Sequence, residues 1–392
     1  VAFPICTLAI AFANLVGMGG APLFSIERGK GNEEEAKYIL GNSFNLLVVI
    51  GVVFSVVMFL VKRPMLYLLG ASKNIYGYAD SYLSIYLCGT LFVMLSLGMN
   101  AFINAQGFAN IGMMTVSIGA VCNLVLDPIF IFKMKMGVQG AALATVFAQA
   151  ISVVLSLLVI ARRKLPFTFR KEQLRFDRPL TAGILRLGVP IALQDVLVGV
   201  SFLVILAIVN SLGLLQSAGM GIAEKVCAFV MLLPSAFSQS VSAFVAQNTG
   251  AVKPDRAKKA LRYSVVTSLC ISVFVFYFNF FHGDLLAGIF ANDRAVILEA
   301  ADYLKAYAID CLLTSFLFCF VGYFSGLGKT VFVMAQGILG AFGVRIPVSF
   351  FMSRLPNVRL FYIGLATPCS TVVQVLLCLG YYAHLARRER RA

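Results

Sequence analysis

Long apolar stretches alternate with short polar connections along the whole chain. Most of these stretches contain about 20 residues, which is the length that an α-helix needs to cross the hydrocarbon core of a bilayer. The pattern predicts an all-α polytopic membrane protein with about eleven helices in this sequence. The predicted spans lie near residues 1–25, 38–61, 81–103, 111–132, 138–161, 187–212, 217–247, 263–281, 301–324, 330–352 and 360–384.

Composition and charge support this prediction. Of the 392 residues, 60% are hydrophobic and only 12% are charged, whereas a soluble domain is about 25% charged. The net charge of +15 comes from Lys and Arg residues between the apolar stretches, so we interpret it as a topology signal and not as a nucleic-acid surface. If the connection 28–37 is cytoplasmic, the inner connections carry 20 Lys and Arg residues and the outer connections carry 8. This bias agrees with the positive-inside rule.

The sequence also contains an internal repeat. A shift of 221 positions brings similar residues into register without a gap, among them Ala79 and Ala300, Tyr82 and Tyr303, Tyr86 and Tyr307, and Gly107 and Gly328. Six predicted spans separate equivalent points, so the two halves have the same orientation in the membrane. Such parallel repeats are typical of secondary transporters, which place the substrate cavity between two lobes near the bilayer midplane.

The repeat predicts how the chain is divided. Residues 1–162 form an N-terminal lobe containing helices 2–6, residues 163–182 form a basic cytoplasmic linker, and residues 183–392 form a C-terminal lobe containing helices 7–12. The full arrangement is two six-helix lobes related by a pseudo-two-fold axis along the membrane normal. On this reading the partner of the second lobe's first helix precedes Val1, which explains the expected count of eleven.

Several segments together resemble the MATE (multidrug and toxic compound extrusion) transporters of the bacterial multidrug-efflux branch. They are "GMGGAPLFSIERGKGNEEEAKYILGNSF", "NLVLDPIFI", "MGVQGAALATVFAQ", "RLGVPIALQD" and "SAFVAQNTGAVKPDRAKKAL". The resemblance implies twelve helices in two lobes and export of organic, often cationic, compounds in exchange for inward Na⁺ or H⁺. In some members of that family an acidic residue in the first helix takes part in coupling, and the corresponding helix lies outside this sequence.

Charged residues inside predicted spans are the main site candidates, because charges in hydrocarbon are costly and usually functional. Glu224, Lys225, Asp310 and Arg345 are expected to share one layer of the second lobe. We expect Glu224 to face the cleft or an Na⁺ pocket, and Lys225 to pair with Asp310, so that Lys225→Met would destabilise the fold. The alternative is an ion-pair network that only holds the lobe together, and the sequence leaves it open.

Two further acids and several amides complete the candidates. Asp127 precedes Pro128 in "NLVLDPIFI", a motif whose acid the resemblance links to transport, although it could simply bond free backbone groups beside the proline. Asp195 could face the cavity from the inner side. Polar side chains in the spans could line a cavity or form interhelical hydrogen bonds. They are Asn104, Gln106, Asn123, Gln149, Gln239 and Gln247.

These observations favour an ion-coupled antiporter over three alternatives. A flippase for a lipid-linked substrate would need a dense basic cavity, a membrane-embedded enzyme would need a catalytic constellation in the spans, and a passive channel would not need the two-lobe repeat. We expect no cofactor, no metal centre other than a possible Na⁺ site near Glu224, and no nucleic-acid partner. The expected partners are small organic molecules and membrane lipids. The expected protein is a monomer that spans the bacterial cytoplasmic membrane many times.

Overall fold

The structure is a computed structural model that describes residues 2–162, 176–356 and 358–389. Most of the predicted linker 163–182 lies outside these residues. The described chain is almost entirely helical, as the apolar pattern predicts.

Fifteen α-helices and two π-helical segments are formed by the described residues. The helices of the first half are α1 (Phe3–Lys30), α2 (Glu33–Leu68), α3 (Lys73–Ala105), α4 (Ala109–Pro128) and α5 (Val138–Arg162). They are followed by α6 (Arg178–Asn210), α7 (Leu214–Val230), α8 (Leu232–Gly250), α9 (Pro254–Phe281), α10 (Gly283–Gly288), α11 (Arg294–Gly326), α12 (Thr330–Ile338), α13 (Ile346–Met352), α14 (Leu360–Gly364) and α15 (Ala366–Glu389).

Eleven helical segments of the described chain are long and apolar enough to cross a membrane, which confirms the predicted count. In three of them two α-helices share one crossing. These pairs are α7 with α8, α12 with α13, and α14 with α15. Many segments extend beyond their predicted bounds, since polar residues at the ends continue the helix out of the apolar stretch. The second segment, for example, runs over Glu33–Leu68, whereas the sequence predicted 38–61.

The two π-helical segments lie next to prolines. The first, Ile129–Lys133, follows Pro128, and the second, Leu339–Arg345, ends two residues before Pro347. A proline cannot donate a backbone hydrogen bond and crowds the preceding turn, so a local change of helical hydrogen bonding is expected beside it. Wide turns of this kind are frequent at functional sites.

The chain forms two compact units. The first contains Val1–Ala192 with Gly250–Val252, and in it α3 packs against α1, α2 and α5. The second contains Leu193–Thr249 with Lys253–Ala392, and in it α11 packs against α7, α9, α14 and α15. The most buried apolar segments are therefore α1, α3 and α11. In contrast, α4 and α9 expose most of their apolar residues, as lipid-facing helices do.

The internal repeat is visible in the helix boundaries. The first residues of α2 and α9 are 33 and 254, those of α3 and α11 are 73 and 294, and those of α4 and α12 are 109 and 330. Each pair differs by the 221 positions found in the sequence. Two pairs of left-handed residues have the same spacing, with Gly31 (φ 84°) matching Val252 (φ 55°) and Gly107 (φ 86°) matching Gly328 (φ 71°).

Small residues allow α1 and the first part of α6 to cross closely within the first unit. A Cβ atom on Gly19 would lie 2.4 Å from the carbonyl oxygen of Ile184, and one on Gly188 would lie 1.9 Å from that of Leu15. Both distances are too short for any side chain. Close backbone approach through small residues is a common way for membrane helices to associate.

In the second unit, an ion pair fastens the start of α14 to α11. Arg359 donates from Nε to Oδ2 of Asp302 at 3.2 Å and makes a second, shorter contact from Nη2 to Oδ1. The backbone N–H of Phe361 also donates to Asp302, at 3.3 Å. This clamp fixes α14 beside Tyr303, which is the neighbour of Asp302 on α11.

Candidate functional site

Glu224 and Lys225 lie on α7 and point in different directions, because adjacent residues on a helix are about 100° apart. Glu224 is half-buried, and its carboxylate lies within electrostatic range of the Cys227 and Tyr303 side chains. Lys225 is exposed, and its ammonium nitrogen lies 6.0 Å from the centre of the Phe290 ring.

The expected ion pair between Lys225 and Asp310 is therefore wrong. Lys225 is directed towards an exposed aromatic ring, while both carboxylate oxygens of Asp310 are buried without a hydrogen-bond partner. The sequence placed Lys225 and Asp310 at similar depth, but depth alone does not determine which face of a helix a side chain occupies.

Asp310 lies at the middle of α11, 16 residues from either end, and is 1% exposed. The hydroxyl of Thr371 on α15 lies near its carboxylate. That hydroxyl has one proton, and it donates it to the backbone oxygen of Thr367 at 3.1 Å. With the Thr371 proton directed to Thr367, neither carboxylate oxygen of Asp310 has a hydrogen-bond partner, and rotation of that one hydroxyl would supply a single hydrogen bond to the carboxylate.

Arg345 is the last residue of the second π-helical segment and is 7% exposed. Its guanidinium carbon lies 4.6 Å from the centre of the Phe202 ring, and Nη1 donates to Oγ of Ser201 at 3.4 Å. Its Nε is buried without a partner. Arg345 is within electrostatic range of Asp310, Tyr303 and Tyr307, so it is the cation of this site.

Hydroxyl and amide groups of α15 contact the second π-helical segment. The hydroxyl of Ser370 donates to the backbone oxygen of Gly340 at 2.7 Å and accepts a hydrogen bond from Gln374 at 3.0 Å. The side chain of Gln374 packs directly on Gly340, where a Cβ atom would be only 2.2 Å from its Nε2. These contacts attach α15 to the π-helical segment that carries Arg345.

The first unit contains its own polar group around Asp127, which is half-buried at the end of α4. Asp127 is within electrostatic range of Tyr82 on α3, and the Tyr82 hydroxyl interacts with Thr145 on α5. Asn123 lies one turn before Asp127, and its buried Nδ2 has no hydrogen-bond partner. Asp127 thus lies near Tyr82, whose hydroxyl links α3 to α5.

The other predicted residues are more scattered. Gln106 follows the end of α3 and Gln149 lies on α5, and each has a buried oxygen without a hydrogen-bond partner. Asn104 donates to Asn100 at 3.0 Å within α3, so this hydrogen bond is intrahelical and not interhelical. Exposed positions are occupied by the remaining three, Asp195, Gln239 and Gln247.

The sequence alone did not predict the aromatic and hydroxyl residues that lie near Asp310 and Asp127. Tyr303 and Tyr307 are buried on α11 within range of Arg345, and Tyr82 occupies the position equivalent to Tyr303. Cys6 and Cys227 are also 221 positions apart, and each lies near the tyrosines of its own unit. The repeat therefore carried the missing signal, because it conserves this Cys and Tyr arrangement within one chain.

Comparison with known sequences identifies the family. The MatE family model matches residues 1–129 and 190–351, which is well over half of the chain. The chain belongs to the MatE family. It is 25% identical over 395 residues to the probable multidrug resistance protein YoeA of Bacillus subtilis (strain 168), covering 99% of this chain and 85% of that protein.

Other similarities agree with this assignment. The chain is 27% identical over 356 residues to the multidrug export protein MepA of Staphylococcus saprophyticus, covering 90% of this chain and 78% of that protein. A solved structure of a multidrug resistance MATE family transporter in an outward-facing conformation superposes with a TM-score of 0.94 at 18% identity, covering 100% of this chain and 87% of that one. The MatE chain described here is thus a multi-pass membrane transport protein.

Proposed function

We propose that this MatE protein is a secondary active antiporter that exports organic, often cationic, compounds in exchange for inward Na⁺ or H⁺ by alternating access. Relatives with the names multidrug resistance protein and multidrug export protein support the class of substrate. The acidic groups of the second unit support the cation exchange. The protein acts in the cytoplasmic membrane of a bacterium as a monomer.

The observation that carries this proposal is the unpartnered carboxylate of Asp310. Ionisable residues inside a membrane are costly and are retained mainly for function. An acid with a purely structural role is expected to have its oxygens hydrogen-bonded, and those of Asp310 are not. A carboxylate in this condition is suited to accept a proton or a cation from outside the protein.

Glu224 supplies a second carboxylate that is only half-buried. It shares the surroundings of Cys227 with Asp310, so the two acids belong to one group of residues. In the proposed cycle Glu224 holds a coupling ion in one state and is released to a cationic substrate in the other. Exchange requires an acid that binds either the coupling ion or the cationic substrate, but not both at once.

Asp127 is a second candidate for the coupling site, supported by its position beside Tyr82 and Asn123. The flippase alternative gains no support from the second unit. Its described site contains two acids and one arginine, whereas a pyrophosphate group would favour a cluster of basic side chains.

The test is efflux of a fluorescent organic cation from vesicles containing the purified protein, with Na⁺ and pH gradients imposed separately. Glu224→Gln removes the charge and keeps the shape of the side chain, so gradient-driven efflux should be lost while the yield of folded protein is unchanged. Lys225→Gln is the matched control, because it alters the adjacent exposed residue and should transport normally. Efflux by Glu224→Gln at the wild-type rate under both gradients would contradict the assignment and direct attention to Asp127.

A further inference from the structure

An apolar groove, which we call the α2–α3 groove, runs along the surface of the first unit. It has a volume of about 270 Å³ and is lined by six residues of the two helices, Ser55, Val56, Phe59, Leu60, Leu87 and Cys88. Its outer wall is open, since Val56, Phe59 and Leu60 are 55%, 48% and 77% exposed. Both helices are long and apolar enough to cross a membrane. The open side of the groove is therefore suited to contact lipid.

The six described residues of the α2–α3 groove present no free hydroxyl or amide side chain to a polar ligand. The hydroxyl of Ser55 donates to the backbone oxygen of Leu87 at 2.9 Å and is thus already used. Cys88 is exposed, but a thiol is only a weak hydrogen-bond donor. Apolar spaces of this kind do not retain water. In a membrane, the ligand that matches this lining is an acyl chain.

Two basic side chains lie at one end of the groove. The ammonium nitrogen of Lys62 is 4.4 Å from the centre of the Phe59 ring, which forms part of the groove. It also lies 2.9 Å from Oδ1 of Asp80 and donates to the Ser84 hydroxyl at 2.7 Å, so its charge is balanced within the protein. Arg63 is exposed and makes no ion pair with any residue that the structure describes.

Arg63 lies on the helical face that forms the groove. It follows Phe59 by four residues and Val56 by seven, and residues with these spacings share one face of an α-helix. At 1.5 Å per residue, Arg63 is about 10 Å further along the helix axis than Val56. It is therefore at the end of the groove nearest the C-terminus of α2, which the positive-inside rule places at the outer surface.

Two tyrosines mark the level of the lipid headgroups at this end. The rings of Tyr67 on α2 and Tyr76 on α3 stack with their centres 5.1 Å apart and their planes 4° apart. Tyr67 lies one turn after Arg63, and Tyr76 lies one turn after Lys73, which is also exposed. Tyrosine is enriched where the bilayer meets water, and arginine binds phosphate through two parallel hydrogen bonds. A positive charge is thus placed at headgroup level above an apolar groove.

We propose that the α2–α3 groove binds one acyl chain of an anionic phospholipid of the outer leaflet, with the phosphate on Arg63. The apolar lining selects the chain, and the unpaired guanidinium selects the negative headgroup. Lys62 and Asp80 serve as a structural pair that joins α2 to α3 beside the bound lipid. The site belongs to the first unit, whereas Glu224 and Asp310 belong to the second, so the inference does not rest on the antiport function.

The test uses the fact that the sequence contains no tryptophan, so that one introduced tryptophan reports on one position. Leu60→Trp places the reporter on the groove. Leu124→Trp is the matched control on α4, because Leu124 is similarly exposed, at 73% against 77%, and lies one turn before the acidic Asp127. Each full-length variant is reconstituted into vesicles of phosphatidylglycerol and phosphatidylcholine in which one of the two lipids carries brominated chains, which quench tryptophan fluorescence on contact.

Quenching of Leu60→Trp should show a preference of about fivefold for phosphatidylglycerol, the factor expected for one basic residue near a membrane surface. Adding Arg63→Gln should reduce this preference to near unity, because the guanidinium that binds the phosphate is lost. Leu124→Trp should be quenched equally by both lipids.

Equal quenching of Leu60→Trp by the two lipids would overturn the inference, and so would a preference that survives Arg63→Gln. Weak quenching of Leu60→Trp by both lipids, with normal quenching of Leu124→Trp, would also overturn it, since a second copy of the protein would then cover the groove. Val56→Trp supplies a second reporter in the same groove, so the outcome does not depend on the folding of one variant.

Discussion

The crossing of α1 and α6 gives a quantitative prediction about the fold. A Cβ atom added at Gly188 would lie 1.9 Å from the carbonyl oxygen of Leu15. Carbon and oxygen atoms in contact are at least about 3.3 Å apart, so the two backbones must separate by roughly 1.4 Å. The contacted atom belongs to the backbone of a helix and cannot rotate away, so Gly188→Ala should cost about 1–3 kcal/mol of stability, as overpacked sites do.

Gly199 provides a control on the same helix. A Cβ atom there would have no neighbour within 4 Å. Gly199→Ala should therefore gain up to about 1 kcal/mol, because alanine favours helix more than glycine does. Thermal unfolding of both variants in detergent, followed by the loss of the monodisperse peak in size-exclusion chromatography, should place Gly188→Ala below the wild type and Gly199→Ala at or above it. A Gly188→Ala variant as stable as Gly199→Ala would refute this description of the crossing.

Three other predictions concern single residues. Lys225→Met should fold and transport normally, because Lys225 is exposed and a cation–π contact of this kind contributes only about 0.5–1 kcal/mol. Expression and efflux assays test this, and a misfolded variant would indicate that Lys225 has a buried partner. Val252→Asn should raise the melting temperature by relieving up to about 1 kcal/mol of left-handed backbone strain, and a lower value would contradict the positive φ. Asp302→Ala should lower the melting temperature more than Asp302→Asn does, since only the alanine removes every acceptor for the backbone N–H of Phe361, and equal values would argue against that bond.

The helices and the repeat could be predicted from the sequence because both depend on local properties. Apolar length determines where a segment can cross a membrane, and a constant shift of 221 positions survives in α3 and α11 from first to last residue. The π-helical segments were not predicted. Proline marks their neighbourhood, but the choice between a kink and a wide turn depends on packing against other helices, such as the contact between Gly340 and Gln374.

The candidate site could be predicted only in part. Intramembrane charge was sufficient to select Glu224, Asp310 and Arg345, which the structure brings into one unit. The predicted partner of Lys225 was wrong because adjacent residues on a helix point about 100° apart, and this rotation determines which neighbours each side chain contacts. The proximity of Thr371 to Asp310 and of Phe202 to Arg345 depends on contacts between helices distant in the sequence, and no local pattern contains that information.

The central claim is that transport of an organic cation in one direction is coupled to movement of a small cation in the other. It is tested most directly by imposing only a substrate gradient across vesicles and recording internal pH and Na⁺ with trapped indicators. Outward movement of the substrate should drive H⁺ or Na⁺ inward in the wild-type protein, and Glu224→Gln should abolish this movement. Substrate flux without any opposing movement of H⁺ or Na⁺ would contradict the antiport account.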